Sequence, residues 1–266
     1  NYDCGKKKVY NIADKKLKIN SFHLIIVCED DINQVKSCLK FLQTSKFKKN
    51  KTIYDTKYRH NPFLNEEPYK TIRSKAYARA RSMISDTQLY ELVQYIKATK
   101  NIKGDVAEFG SLYGGSGAII AESINFYGKK NVFLCDSFNG IPKSKYGMDF
   151  CWDGAFSDNS SKMVKDSFKD LPFVTVISGN IKKTHKILKG PFSYAYIASD
   201  TLESAEILLN YIWPKLNIGG IISVCDYGSY PNAIPLTMYV DEFFKDKGKV
   251  SKIFYPEIGF FAIKIK

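Results

Sequence analysis

The chain predicts an α/β fold: a Rossmann-like, mostly parallel sheet with helices on both faces, preceded by a small N-terminal β-α appendage. Three observations lead there. From Asp105 onward, short apolar runs alternate with helical patterns, the rhythm of βαβ units. The first of these runs opens into a glycine-rich turn and then an apolar helix. Acidic residues follow directly after several runs, at the strand ends where open α/β sheets bind ligands.

Each element has its own signal. Residues 21–29 read as a strand, and 31–43 as an amphipathic helix with Ile32, Val35, Leu39 and Leu42 on one stripe. One β-α unit is too little for a domain. Residues 1–60 are therefore expected to be an appendage or the remnant of a larger module, and 61–266 the main domain. The stretch 44–70 reads as polar and irregular, with Pro62 and Pro68. Helices are expected through Tyr77 to Met83 and from Thr87 to Thr99, the second with Asp86 as N-cap. Strands are expected at 105–109, 131–135, 173–178, 193–198, 219–225 and 258–265. The helices between and around them are expected at 116–127, 160–169, 181–188, 203–216 and 233–247.

With 266 residues, 44% hydrophobic and 25% charged, the chain can bury a substantial core. Its longest apolar run, Phe22 to Cys28, falls far short of the ~20 residues that cross a bilayer, so no membrane partner is expected. Lys6, Lys7 and Lys8 precede no signal-like apolar segment, and the six cysteines form no C-x-x-C pair. A reducing, cytoplasmic setting without a zinc site follows as the expectation. His23, His60 and His185 are too separated to suggest a histidine metal cluster. The formal charge of +13 favours anionic partners, and Arg73, Lys75, Arg79 and Arg81 lie just ahead of the glycine turn. No RNA-binding motif accompanies that charge, so nucleic acid is disfavoured. The oligomeric state is left open, a homo-oligomer included.

The turn runs Glu108-Phe109-Gly110-Ser111-Leu112-Tyr113-Gly114-Gly115-Ser116. It lacks the G-x-G-x-x-G spacing of dinucleotide folds, and no Lys-Ser/Thr follows to make a phosphate loop. Its glycines let a ligand approach the backbone, and the free amides of the following helix face that ligand. An acid just ahead of the first glycine suits a cationic or amine-bearing ligand better than a pyrophosphate. S-adenosyl-L-methionine, with its sulfonium and α-ammonium, is such a ligand. The expected cofactor contacts on the turn are Glu108, Gly110, Ser111, Tyr113, Gly115 and Ser116. The second run ends in Asp136 and Ser137, placed to accept hydrogen bonds from ribose hydroxyls. The third ends in Gly179 and Asn180, which could edge an adenine ring; the fourth and fifth end in Asp200 and in Asp226-Tyr227.

The order of Glu108-x-Gly110…Gly115-Ser116, Asp136-Ser137-Phe138-x-Gly140-x-Pro142, Gly154-x-Phe156-Ser157, Asp200…Glu203-Ser204, Leu216-x-x-Gly219-Gly220 and Asp226-Tyr227-Gly228 resembles the macrocin-type (TylF-like) O-methyltransferases. The resemblance covers about residues 78–248. It implies a seven-stranded methyltransferase sheet, S-adenosylmethionine as cofactor, and a sugar or nucleotide-linked sugar as small-molecule acceptor. One departure matters. Members of that family usually carry D-x-D after the fourth strand and D-D-Y after the fifth, and these acids hold magnesium. Here Ala198 and Cys225 replace the first acid of each pair. A hard divalent cation wants several oxygen ligands. No tightly bound metal is expected.

Methyl transfer to a hydroxyl needs alignment and a base. Asp226 is the first candidate base and Asp200 the second, with His185 and Tyr227 behind them; Asp200 also reads as an N-cap for the helix at Glu203. The insertion from Ile141 to Ser161 carries Tyr146, Phe150, Trp152, Asp153 and Phe156, an aromatic set suited to stacking on a sugar or nucleobase. Trp152 and Asp153 are expected on one wall of the acceptor site, and Tyr227, Tyr230 and Pro231 on the other. The Arg73–Arg81 region is expected to hold a phosphate of a nucleotide-linked acceptor. Two other readings compete: an RNA methyltransferase, from the charge, and a catalytically inactive cofactor-binding scaffold, from the eroded acid pairs.

Overall fold

The computed structural model describes residues 62–247, 250–255 and 259–265, together with 3–4, 7–8, 24–27, 37, 40–41 and 51–54. The chain forms two compact units, Asn1–Pro62 and Phe63–Lys266. In the first unit β1 (Asp3–Cys4) pairs antiparallel with β2 (Lys7–Lys8), and β3 (Leu24–Val27) pairs parallel with β4 (Lys51–Tyr54). β4 falls in the stretch read as irregular. The helix expected at 31–43 lies largely outside the described residues.

The second unit contains the site. Its parallel strands are β5 (Asp105–Phe109), β6 (Val132–Asp136), β7 (Val174–Ser178), β8 (Phe192–Ile197) and β9 (Leu216–Val224). β10 (Val250–Tyr255) and β11 (Gly259–Lys264) complete one seven-stranded sheet in the order β10-β11-β9-β8-β5-β6-β7, with β11 antiparallel to both its neighbours. Every residue of β8 is buried, as expected of a parallel strand covered on both faces. β10 has no counterpart among the expected strands, because its apolar residues are diluted by Ser251 and Lys252 at the sheet edge.

Helices cover both faces. On one side α1 (Tyr69–Arg79), α2 (Asp86–Thr99) and α3 (Gly115–Tyr127) pack Ile72, Leu89, Leu92, Ile119 and Ile120 against Val106, Leu134, Tyr194 and Tyr196. α4 (Ser161–Ser167) adds Val164 to that layer. On the other side α6 (Leu202–Ile212) and α7 (Ile234–Lys245) pack Leu208, Leu209, Leu236 and Phe244 against Phe109, Ile197, Ile222 and Phe260. A short α5 (Ile181–Thr184) follows β7 and passes into a 3-10 turn, where a single helix over 181–188 was expected.

Two boundaries differ from expectation for clear reasons. The helix expected through Tyr77 to Met83 is α1, which starts at Tyr69 and ends at Arg79; Ala80 is already extended. α2 is capped by Ser85, whose hydroxyl accepts from Gln88 N in a reciprocal capping box. Asp86 is not the cap, because its carboxylate is taken by Arg73 at 2.6 Å and by the Tyr77 hydroxyl at 2.9 Å.

Candidate active site

The strand order reverses between β5 and β8, and a cavity of about 330 Å³ opens there at the carboxyl ends of the strands. Gly110 makes the floor feasible. Its φ is +95°, and a Cβ there would stand 1.8 Å from the Ala198 carbonyl oxygen at the end of β8. Gly115 serves the rim: a Cβ there would meet the Arg81 carbonyl oxygen at 2.2 Å, so the irregular 81–84 segment lies against the start of α3 at Arg81 and Ser82.

Asp136 ties the turn together. One carboxylate oxygen accepts from Leu112 N at 2.7 Å and the other from Phe138 N at 2.8 Å. Leu112, Phe138, Phe156, Asp200 and Asp226 are the non-glycine residues with positive φ among those described, and all but Phe138 line the cavity. Left-handed backbone at side-chain-bearing residues is strained and gathers at functional sites.

Charge converges here. Asp136, Asp200 and Asp226 line the cavity with one cation, Arg81, whose guanidinium stacks 3.7 Å from the Tyr113 ring centroid. The Asp200 carboxyl is pushed well above the usual range by burial and by the facing Asp226 carboxyl, with the Tyr230 hydroxyl acting in the opposite direction. Glu108 lies behind the wall, 0% exposed, and neither of its oxygens has a partner of good geometry. Burial raises its pKa to about 7; the nearby Ser116 and Ser111 hydroxyls pull it down and the Asp136 charge pushes it up. Ser111, Tyr196 and Ser199 line the cavity with buried hydroxyl oxygens that have no partner of good geometry.

Most of the expected contacts meet around this space: Gly110, Ser111, Tyr113, Gly115, Ser116, Asp136, Ser137, Asp200, Asp226 and Tyr230 all line it. Five others do not. Glu108 sits behind the turn. Asn180 caps α5, its side chain accepting from Lys182 N at 2.9 Å. Trp152 stacks on Phe156 at 6.3 Å and meets Tyr230 edge-on at 5.8 Å, supporting the wall from behind. Asp153 is exposed and off the wall. Tyr227 is turned away by the bend at Asp226, donating to Asp241 at 2.5 Å and packing on Phe260. The cap of α6 is Thr201 and not Asp200. His185 is buried, its ring bonded to the Ile181 carbonyl and edge-on to Tyr211, away from the cavity.

Two of the expected phosphate contacts are spent, while Arg81 lines the cavity. Arg73 is bound to Asp86, and Arg79 to Glu122 and, in bidentate fashion, to Asp170. Sequence reasoning missed Asp149, which is 2% exposed and accepts from Leu202 N at 3.0 Å and Glu203 N at 3.2 Å. With Lys145 N donating to Glu203 at 3.0 Å, it ties the aromatic insertion to the start of α6. The loop carries three acids, Asp149, Asp153 and Asp158, and nothing local in the sequence marks the first as the buried one.

A Rossmann-like sheet with an acid-lined cavity over a glycine turn suits a cationic nucleoside, the donor set of an S-adenosylmethionine-dependent O-methyltransferase. The chain belongs to the macrocin O-methyltransferase (TylF) family, whose model matches residues 27–254 and so begins well before the span read from the motifs. No protein of curated function matches the sequence. Among solved structures, the O-methyltransferase NovP is similar at 22% identity and a TM-score of 0.63, over 74% of this chain and 88% of that one. The calicheamicin methyltransferase CalS11 is similar at 14% identity and a TM-score of 0.57, over 89% of this chain and 94% of its own. The cofactor-bound Rv0187 from MTB follows at 15% identity and 0.51, over 89% and 98%. Such identities speak for the shared fold. No described helix is long and apolar enough to cross a membrane.

Proposed function

We propose that this enzyme transfers a methyl group to a hydroxyl of a sugar or nucleotide-linked sugar, without a tightly bound magnesium ion. The observation that carries the reading is the acidic cavity: three carboxylates and one arginine around a glycine turn, in a chain whose formal charge is +13. The acids attract a sulfonium nucleoside, and Arg81 is the one cation on the lining. CalS11 is described as a TDP-rhamnose 3′-O-methyltransferase, which favours the same acceptor class.

When bound, the cofactor supplies an electrophilic methyl group. The chain has to hold the two reactants in line and remove one proton. Gly110, Ser111, Gly115 and Ser116 offer backbone and hydroxyl contacts to the amino-acid end, and Asp136 and Ser137 to the ribose. Asp200 and Asp226 face each other closely enough to share a proton. In this arrangement Asp200 keeps the proton and Asp226 receives the one leaving the acceptor hydroxyl, while Tyr230 fixes the pair. Phe156, backed by Trp152, offers an aromatic face to the acceptor. Ala198 and Cys225 give no hard oxygen where the family's acids stand, and no group of three or more metal-ligating side chains occurs among the described residues. No step is therefore assigned to a metal.

Incubation with methyl-labelled S-adenosylmethionine and a panel of nucleotide sugars and glycosides tests the acceptor. Transfer of the label to a sugar hydroxyl, undiminished by a chelator, is the expected result. Label appearing only in RNA, or cofactor binding without transfer to any panel member, would overturn it in favour of the RNA or the scaffold reading.

A further inference from the structure

Two tyrosines on β8 point to the same face and have different fates. Tyr194 is fully buried, and its hydroxyl is paired with Ser223 at 2.7 Å. Tyr196 is just as buried, yet its phenol oxygen has no partner of good geometry and the residue lines the cavity. A buried hydroxyl left unpaired costs stability unless a ligand supplies what is missing. The first tyrosine is thus accounted for by the fold, and the second is not.

The sheet register fixes where Tyr196 stands. On β5 its neighbour is Glu108, two residues before Gly110; on β9 its neighbour is Ser223, two before Cys225. The Cys225 sulfur is near enough to take the phenol proton, and the Asp226 carboxylate lies close by, so the oxygen's lone pairs are what the fold leaves unanswered. Tyr196 therefore sits between the glycine turn and the acid pair. Under the cofactor reading, on which this inference rests, that is where sulfur, methyl carbon and acceptor oxygen must line up.

We propose that the Tyr196 phenol oxygen faces the positively charged reacting end of the cofactor, favouring the methyl donor over the demethylated product. A sulfonium polarises the C–H bonds of its methyl group, so an oxygen lone pair that accepts from no other donor attracts it. The thioether left after transfer carries no charge and offers that oxygen nothing. Tyr196 makes and breaks no bond in this role; it is a selectivity residue that helps the spent cofactor leave.

Calorimetric titration of wild type and Tyr196→Phe with S-adenosylmethionine, S-adenosylhomocysteine and sinefungin tests the assignment. Sinefungin carries a protonated amine in place of the methylsulfonium. The variant should melt no earlier than wild type and hold the homocysteine compound within about twofold, while losing about three- to fivefold for the two cations. Equal losses for all three ligands, or no loss for any, overturn the proposal. Tyr196→Leu, which also lacks the oxygen, provides the same ratio if the phenylalanine variant folds poorly. Wild type binding none of the three would instead sink the cofactor reading itself.

Discussion

Replacing Glu108 with glutamine should stabilise the cofactor-free protein at pH 8 and leave it little changed at pH 5. The carboxyl is fully buried, and burial, opposed by Ser116 and Ser111, lifts its pKa from 4.5 to about 7. Below about pH 4.5 both folded and unfolded chains hold the proton, and the group costs nothing. Between there and about 7 the folded chain still holds a proton that the unfolded chain has lost, so stability falls as pH rises. At roughly 1.4 kcal/mol per pH unit, the loss by pH 8 comes to about 3 kcal/mol. Glutamine has the same shape and no charge, so the variant escapes that loss. Urea denaturation of both proteins at pH 5 and pH 8 measures it. A difference between them that is the same at both pH values would refute the reasoning. A cationic ligand reverses the effect: wild-type affinity for S-adenosylmethionine should strengthen from pH 6 to 8 by more than the variant's, in which only the cavity acids remain to respond.

Three further outcomes follow from the geometry. Asp226→Asn should lower turnover at least about a hundredfold, with cofactor affinity measured by calorimetry nearly unchanged; near-normal turnover would remove Asp226 as the base. Gly110→Ala combines a φ of +95° with a contact of 1.8 Å to a backbone carbonyl, and should cost about 3 kcal/mol or more by chemical denaturation. Asp149→Ala removes two amide contacts at the start of α6 and should cost about 1–2 kcal/mol, raising the acceptor KM more than it lowers kcat.

The sheet was legible because its parallel strands are covered on both faces. Ile197, Ile222 and Val224 belong to apolar runs broken only by a serine each, Ser193 and Ser223, and such runs separated by helical patterns leave few alternatives. Legibility failed where burial is one-sided or the chain is bent by a partner distant in sequence. β10 lies at the sheet edge and mixes Ser251 and Lys252 with its apolar residues. α1 buries only Tyr69, Ile72 and Ala76, a sparse stripe among lysines and arginines, and it stops at Arg79 before the 81–84 segment that packs on Gly115. Nothing near Ala80 in the sequence announces a contact with residue 115.

The site divides along the same line. Gly110, Asp136, Asp200 and Asp226 were readable because turn chemistry and acids after strands are local signals. What a side chain does with its partner is not local. Asp86 looks like a cap and is the counter-ion of Arg73; Arg79 looks like a phosphate ligand and is held by Glu122 and Asp170. Tyr227 follows the candidate base directly, yet the left-handed turn at Asp226 sends it toward Asp241. Tyr194 and Tyr196 are indistinguishable as letters in an apolar strand. Only Ser223, 29 residues away, pairs with one of them and leaves the other with an oxygen facing the cavity. A core tyrosine whose hydroxyl the fold leaves unanswered points to a ligand more specifically than an exposed polar residue, because water cannot supply the missing partner without entering the reaction line.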